Sequence, residues 1–275
     1  IKVYLFESLR PTPELSFSVR HLHCIAGIVI TASHNPAKYN GYKVYGEDGG
    51  QMPLDAANAV TEEIRKTDML TGPSVMDEKE ALSKGLLTYI GEDVDRKYLE
   101  SVFARRVNPE AVAEVADSFS IVYTPFHGSG NKLVQRILRM SGLKNLYVVR
   151  EQEEPDGDFP TVKSPNPEDK EGFKLAIELA KKNKTELIIG TDPDSDRVGI
   201  IVRDSDGEYV NFTGNQTGAL LTDYILSQYT EKKTMPKNPV VIKTVVTTEM
   251  IRAITAYYGV EMMEVLTGFK FIGEK

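Results

Sequence analysis

Residues 185–204 read TELIIGTDPDSDRVGIIVRD. Two apolar, β-branched runs, Glu186–Ile189 and Val198–Val202, flank a short polar turn, and the spacing predicts strand, loop, strand. Within the turn Asp192, Asp194 and Asp196 alternate. Three carboxylates so close repel one another strongly unless a cation sits among them, and hard oxygen ligands suit Mg²⁺ or Ca²⁺. An EF-hand loop needs glycine at its sixth position and glutamate at its twelfth. Here those positions hold Arg197 and Arg203, and the flanks are strands, so an EF-hand is excluded. Three ligands from one short loop leave places open on an octahedral ion, which Mg²⁺ fills with water and phosphate oxygens. Arg197 follows at once, with a permanently charged guanidinium whose paired donors match phosphate. A charged hairpin turn without an ion is the competing reading.

Outward from this stretch, short strand-like runs alternate with amphipathic segments. The runs are Gly27–Thr31, Tyr42–Tyr45, Ser120–Tyr123, Tyr147–Arg150, Val240–Lys243 and Met262–Val265. Phe173, Ile177 and Ala180 share one helical face, as do Leu133, Val134, Ile137 and Leu138. This rhythm predicts an α/β protein of tandem, related mixed α/β domains. Thr67–Gly85 reads as a polar surface excursion, and breaks fall near 108–116 and 205–214, where DSDGE reads as a hairpin turn. The expected division is 1–115, 116–207 and 208–275, with the first and third domains incomplete.

A second loop carries a nucleophile. GIVITASHNPAKYNGYKVYG, residues 27–46, reads strand, loop, strand, with Ser33 just past the first strand and His34 beside it. By itself Ser-His-Asn-Pro also fits a turn whose side chains cap backbone groups. The G-x-S-x-G elbow of α/β-hydrolases is absent, and the adjacency of His34 is no evidence that it acts as a base. Lys43, ten residues after the serine, is a donor to a leaving oxygen, an acid/base group if its pKa is lowered, or a solvated strand residue. Tyr123–Asn131, YTPFHGSGN, reads as strand, loop and helix start, either a turn or an anion-binding N-terminus. His127 in that loop reads as a structural hydrogen-bonding residue. In Leu266–Phe271, LTGFKF, Lys270 is a surface lysine or a contact for a sugar hydroxyl or phosphate.

Composition narrows the partners. The 275 residues carry a net charge of -7 and a pI near 5.3, with 41% apolar and 27% charged residues. That is the composition of a folded globular protein of about two or three domains. No Lys/Arg block marks a nucleic-acid face, while a few local cations still suffice for a small anionic substrate. The lone Cys24 excludes an intrachain disulfide and reads as a small core residue. No apolar stretch approaches the length of a membrane span, and no signal peptide is present in IKVYLFESLR. Cytoplasmic residence is the expectation. Both ends read as cut from something longer.

Together the two loops resemble those of the α-D-phosphohexomutases, in the phosphoglucomutase-like branch. TASHNP looks like that family's phosphoserine loop, DPDSDR like its metal loop, and TGFK like a loop of its third domain. FESLRPTPELSFSVR and YTPFHGSG match as well, so the resemblance runs the length of the chain. It implies four domains around a cleft, the first three related. Ser33 would be phosphorylated in the resting enzyme, with His34 beside it. Mg²⁺ would be held by that phosphate with Asp192, Asp194 and Asp196, and Arg197 would brace the phosphate. Lys43 would be the acid/base group, and Lys270 with Gly268 would contact the sugar ligand.

The implied reaction interconverts glucose 1-phosphate and glucose 6-phosphate through phospho-Ser33 and a bisphosphate, with glucose 1,6-bisphosphate as primer. Phosphomannomutase and phosphopentomutase activity are alternatives within the family. A phosphatase-like enzyme and a non-catalytic, truncated metal-binding protein are alternatives of other classes. The family's N-terminal arginine loop, its Gly-Glu-x-Ser-Gly-like sugar loop and its fourth domain fall outside these residues. The expectation is therefore a chain with the catalytic machinery and part of the substrate site. The sequence leaves oligomeric state open.

Overall fold

The computed structural model describes residues 1–275. The N-terminal unit comprises β1 (Val3–Phe6), α1 (Thr12–His21), β2 (Ala26–Ile30), β3 (Tyr42–Gly46), α2 (Leu54–Lys66), α3 (Glu78–Ser83), β4 (Leu87–Ile90) and α4 (Glu92–Phe103). β2 and β3 form an antiparallel pair, and β1 pairs with β4 in parallel. The helix α1 packs on both β2 and α4. Its Val19, with Val94 and Leu99 of α4, supplies buried apolar contacts. A short helix, α5 (Pro109–Val115), capped by the Asn108 side chain, leads to the middle unit.

The middle unit holds the main core. It contains β5 (Ser120–Thr124), α6 (Asn131–Met140), β6 (Asn145–Val148), α7 (Lys174–Asn183), β7 (Leu187–Thr191), β8 (Val198–Arg203) and β9 (Tyr209–Phe212). Their order in one mixed sheet is β6-β5-β7-β8-β9. β5 is buried at all five positions, as the near-continuous apolar run of a central parallel strand requires. Below the sheet, α7 lays Ala176 and Ala180 against Val122, Ile188 and Ile201, and Phe173 meets Phe126 edge to face at 4.9 Å. Ile177, expected on the same face, is only partly buried at the margin of this core.

The chain leaves β5 toward β6 on one side and leaves β7 toward β8 on the other. Diverging connections of this kind open a crevice at the carboxyl ends of parallel strands, where α/β proteins place ligands. The last unit comprises α8 (Gly214–Glu231), β10 (Val240–Thr244), α9 (Met250–Tyr258), β11 (Glu261–Val265) and α10 (Phe269–Glu274). β10 and β11 pair in parallel, α8 packs on α9, and a Thr213–Gln216 capping box starts α8. No helix is long and apolar enough to cross a membrane.

Several sequence expectations shift. The strand expected at 147–150 lies at Asn145–Val148, because its register with β5 starts at Ser120 and Asn145, and Arg150 already opens a 3-10 turn. The excursion at 67–85 contains α3, capped by Asp77, and the break at 108–116 is the helix α5. β9 lies beyond the division expected after Gly207, yet it hydrogen-bonds to β8, so the middle sheet continues to Phe212.

Candidate metal centre

Asp192 immediately follows the last residue of β7, and the turn back into β8 carries Asp194 and Asp196. One carboxylate oxygen from each lies within 4.8 Å of the others. Asp192 and Asp194 are buried, whereas Asp196 is exposed. Ser195 closes the turn in the left-handed region at φ 55°. The Arg197 amide donates to Asp192 Oδ1 at 2.9 Å.

The serine loop meets this turn from the other unit. Ser33 also adopts a left-handed backbone, φ 53°, and its amide donates to Thr31 Oγ1 at 2.8 Å. Strained positions of this sort gather at functional sites. The Thr31 amide donates to the Gly41 carbonyl at 3.0 Å, fixing the neck of the loop. A Cβ on Gly41 would lie 2.1 Å from the Thr31 carbonyl oxygen, so the neck tolerates only glycine. Ser33 Oγ then donates to Asp192 Oδ2 at 2.9 Å and lies 3.2 Å from His34 Nδ1. Lys43 Nζ, from β3, donates to Asp194 Oδ2 at 3.1 Å and to Asp196 Oδ2 at 3.4 Å.

The electrostatics follow from this crowding. Burial, then the charges of Asp194 and Asp196, raises the pKa of Asp192 to about 8. Burial also pushes Asp194 upward. The adjoining Asp192 carboxyl and the neighbouring Lys43 ammonium outweigh that push and hold it below the ordinary carboxylate value. A proton on Asp192 thus relieves the repulsion within the buried pair. Burial opposes the Lys43 ammonium, but Asp194 and Asp196 prevail and keep its pKa above the ordinary value. Burial, then the Arg197 charge, depresses His34. The Arg197 guanidinium makes no ion pair or hydrogen bond within the chain.

This donor set fits a divalent cation. It offers three hard oxygens from one turn, and Asp194 Oδ1 is buried without any donor. An orphaned buried acceptor is costly, and a cation relieves it together with the mutual repulsion of the carboxylates.

Ser33, His34, Lys43, Arg197 and the three aspartates therefore come together. Gly268 and Lys270 do not join them through any hydrogen bond or ion pair. Gly268 precedes α10, and the Lys270 ammonium lies 5.1 Å from the Phe271 ring. The loop after Tyr123 serves differently from an anion cradle. The Ser129 amide and hydroxyl both donate to the Pro193 carbonyl, at 2.7 and 2.9 Å. A Cβ on Gly128 would lie 2.4 Å from Pro193 Cα, so this loop clamps the aspartate turn. His127 is buried between the Glu154 carbonyl and the Thr161 hydroxyl, a structural placement as read. Thr12, which the sequence did not single out, reaches Asp194 through its amide and its hydroxyl. Only its place in RPTPELSF, a segment of the resemblance, was available as a signal.

Residues 1–71, 96–207 and 213–275 match, in order, the phosphoglucomutase/phosphomannomutase alpha/beta/alpha domains I, II and III. The chain is 40% identical to a Staphylococcus epidermidis phosphoglucomutase over 99% of its own length and 48% of the relative's. It is 38% identical to a Staphylococcus aureus phosphoglucomutase over its whole length, again 48% of the relative. It thus spans about half the length of the curated relatives it matches.

A Thermus thermophilus protein described as a phosphomannomutase superposes with TM-score 0.74 and 26% identity, covering 100% of this chain and 56% of the other. The Aspergillus fumigatus N-acetylphosphoglucosamine mutase, solved with GlcNAc-6P and magnesium, gives TM-score 0.54 at 15% identity, covering 94% and 58%, and shares the fold. On the three domain matches in sequence order and this site, the chain belongs to the phosphoglucomutase/phosphomannomutase family.

Proposed function

We propose that this chain carries the phosphoryl-transfer centre of a phosphohexomutase acting on glucose phosphates, with Ser33 as the phosphate carrier. The carrying observation is the 2.9 Å contact between Ser33 Oγ and Asp192, which sets a nucleophilic oxygen against a three-carboxylate turn. The divisions 1–115, 116–207 and 208–275, the second extended to Phe212 by β9, would contribute the serine loop, the aspartate turn and part of the sugar site.

Asp192, Asp194 and Asp196 would hold Mg²⁺, which when bound supplies Lewis-acid neutralisation of phosphate charge. In the forward half-reaction the bond between phosphorus and Ser33 Oγ breaks while a sugar hydroxyl oxygen bonds to phosphorus. The sugar hydroxyl loses its proton and Ser33 Oγ gains one. Lys43, held as the ammonium 3.1 Å from Asp194, would give its proton to Ser33 Oγ and be reprotonated by the sugar hydroxyl, so that one proton passes from sugar to serine, and the return half reverses this. Neutral His34, 3.2 Å from Ser33 Oγ, fixes that oxygen's direction. Arg197, with a guanidinium unpaired inside the chain, is free to grip phosphate oxygens. Aligning the oxygens and offsetting charge is most of what phosphoryl transfer requires.

Glucose 1,6-bisphosphate would prime Ser33, and Lys270 with Gly268 would meet the sugar once the cleft is occupied. Glucose specificity rests on the two Staphylococcus relatives. The test is intact-mass spectrometry after incubation with glucose 1,6-bisphosphate and Mg²⁺. Wild type gains one phosphoryl group on Ser33 and Ser33→Ala gains none. Equal labelling of the two, or none of wild type, refutes the assignment.

A further inference from the structure

Thr12 opens α1, which begins after Pro11 without any side-chain cap. A helix start leaves its first amides without intrahelical partners, and here the Thr12 amide donates to the Asp194 carbonyl at 2.8 Å. The Thr12 hydroxyl does not cap its own helix. It donates to Asp194 Oδ2 at 3.1 Å, across 182 residues of sequence. Thr12 is 4% exposed and Asp194 5% exposed, so water does not substitute for this contact.

The two oxygens of Asp194 thereby become unequal. Oδ2 receives both the Thr12 hydroxyl and the Lys43 ammonium, each at 3.1 Å. Oδ1 is buried and receives no donor. We propose that Thr12 is a positioning residue of this centre, whose hydroxyl orients Asp194 so that Oδ1 is the oxygen left to a divalent cation. The inference rests on the cation site proposed above.

Three features support orientation over simple docking of the two units. The amide-to-carbonyl bond already docks Thr12 on the turn and needs no hydroxyl. Lys43 is a flexible four-carbon side chain shared between Asp194 and Asp196, so on its own it does not fix the direction of the Asp194 carboxylate. A β-branched threonine in a helix has few side-chain rotamers and supplies the fixed direction that the lysine lacks. Partners of this type behind a ligand tune metal affinity by about 10- to 100-fold.

The experiment titrates Mn²⁺ and Mg²⁺ into dephosphorylated protein by calorimetry, for wild type, Thr12→Val and Thr12→Ser, with unfolding midpoints recorded in EDTA. Valine keeps the shape and the amide bond but loses the hydroxyl, and its affinity for either ion falls about tenfold or more. Serine keeps the hydroxyl and binds within about threefold of wild type. Thr12→Val at wild-type affinity overturns the proposal, as does Thr12→Ser weakened as much as Thr12→Val. If valine also lowers the midpoint in EDTA, the serine variant alone decides on the same criterion. A wild-type protein that binds neither ion refutes the cation site itself, an outcome separate from failure of the Thr12 role.

Discussion

Replacing Glu14 by glutamine tests the electrostatics of the N-terminal unit. Glu14 lies in the first turn of α1 at 0% exposure, and no donor reaches either of its carboxylate oxygens. The nearest cation, Arg10, is spent on Asp95 through bonds of 2.7 and 3.0 Å, and Arg136 is paired with Glu92. Burial, then the neighbouring Asp95, raises the Glu14 pKa from 4.5 to about 8. The same burial, with Glu14 adjacent, pushes Tyr98 to about 12. Glu14 is therefore neutral when folded and ionised when unfolded over that window. A raised folded-state pKa gives a contribution that is complete below pH 4.5 and lost as pH rises toward 8. Each unit in the window removes about 1.4 kcal/mol, so the three units from pH 5 to 8 remove about 4 kcal/mol. Urea unfolding at pH 5, 6, 7 and 8 measures it. Asp192, also raised to about 8, weakens both proteins over this window, so wild type falls more steeply than Glu14→Gln and the slopes differ by the Glu14 share. Parallel curves for the two proteins refute a neutral Glu14.

The same method reaches the aspartate turn. Asp194→Asn removes one of three ligand charges and the partner of Lys43. The Mg²⁺ concentration for half-maximal phosphorylation of Ser33 rises about tenfold or more, and an unchanged Mg²⁺ titration refutes its ligand role. Gly128→Ala places a Cβ at 2.4 and 2.6 Å from Pro193 Cα and O. Backbone must shift, costing about 1–3 kcal/mol in urea unfolding and weakening Mn²⁺ binding, and a silent substitution refutes the clamp.

How far the fold was readable depended on where each element finds its partner. The runs at 120–123, 186–189 and 198–202 were visible because β5 is buried throughout and β7 and β8 are buried at alternate positions, which favours apolar and β-branched residues. β4 was not, because LTYI is mostly half-exposed and is a strand only through pairing with β1, more than 80 residues away. α3 and α5 have no buried residue, so no apolar periodicity marks them, and they rest on the Asp77 and Asn108 caps. β9 was hidden by the turn before it. DSDGE signals a hairpin, but only the pairing of Tyr209 with Arg203 shows that the sheet continues past the turn.

The site divides in the same way. Ser33, Asp192, Asp194, Asp196 and Arg197, which the structure brings together, stood out in the sequence because their side chains carry particular chemistry at close spacing. Thr12 and Ser129 did not, because a hydroxyl that positions another residue differs from any other hydroxyl only in where the fold puts it. Their contribution is nonetheless large in a structural sense. Thr12, Ser33 and Lys43 all belong to the N-terminal unit, and all donate to carboxylates of the middle unit. Beside the Arg136–Glu92 pair and the packing of α4 on α6, some of the contacts that seat one unit on the other are thus contacts that orient Ser33 and the aspartates. Buried carboxylates attract such donors because they are otherwise too costly to leave unpaired. The charge density of the aspartate turn therefore helps assemble the site. Loss of a single donor is felt at the ligand oxygens before it is felt in the core, since that core is built from Phe126, Phe173, Ile188 and Ile201 inside the middle unit and shares no residue with this seam.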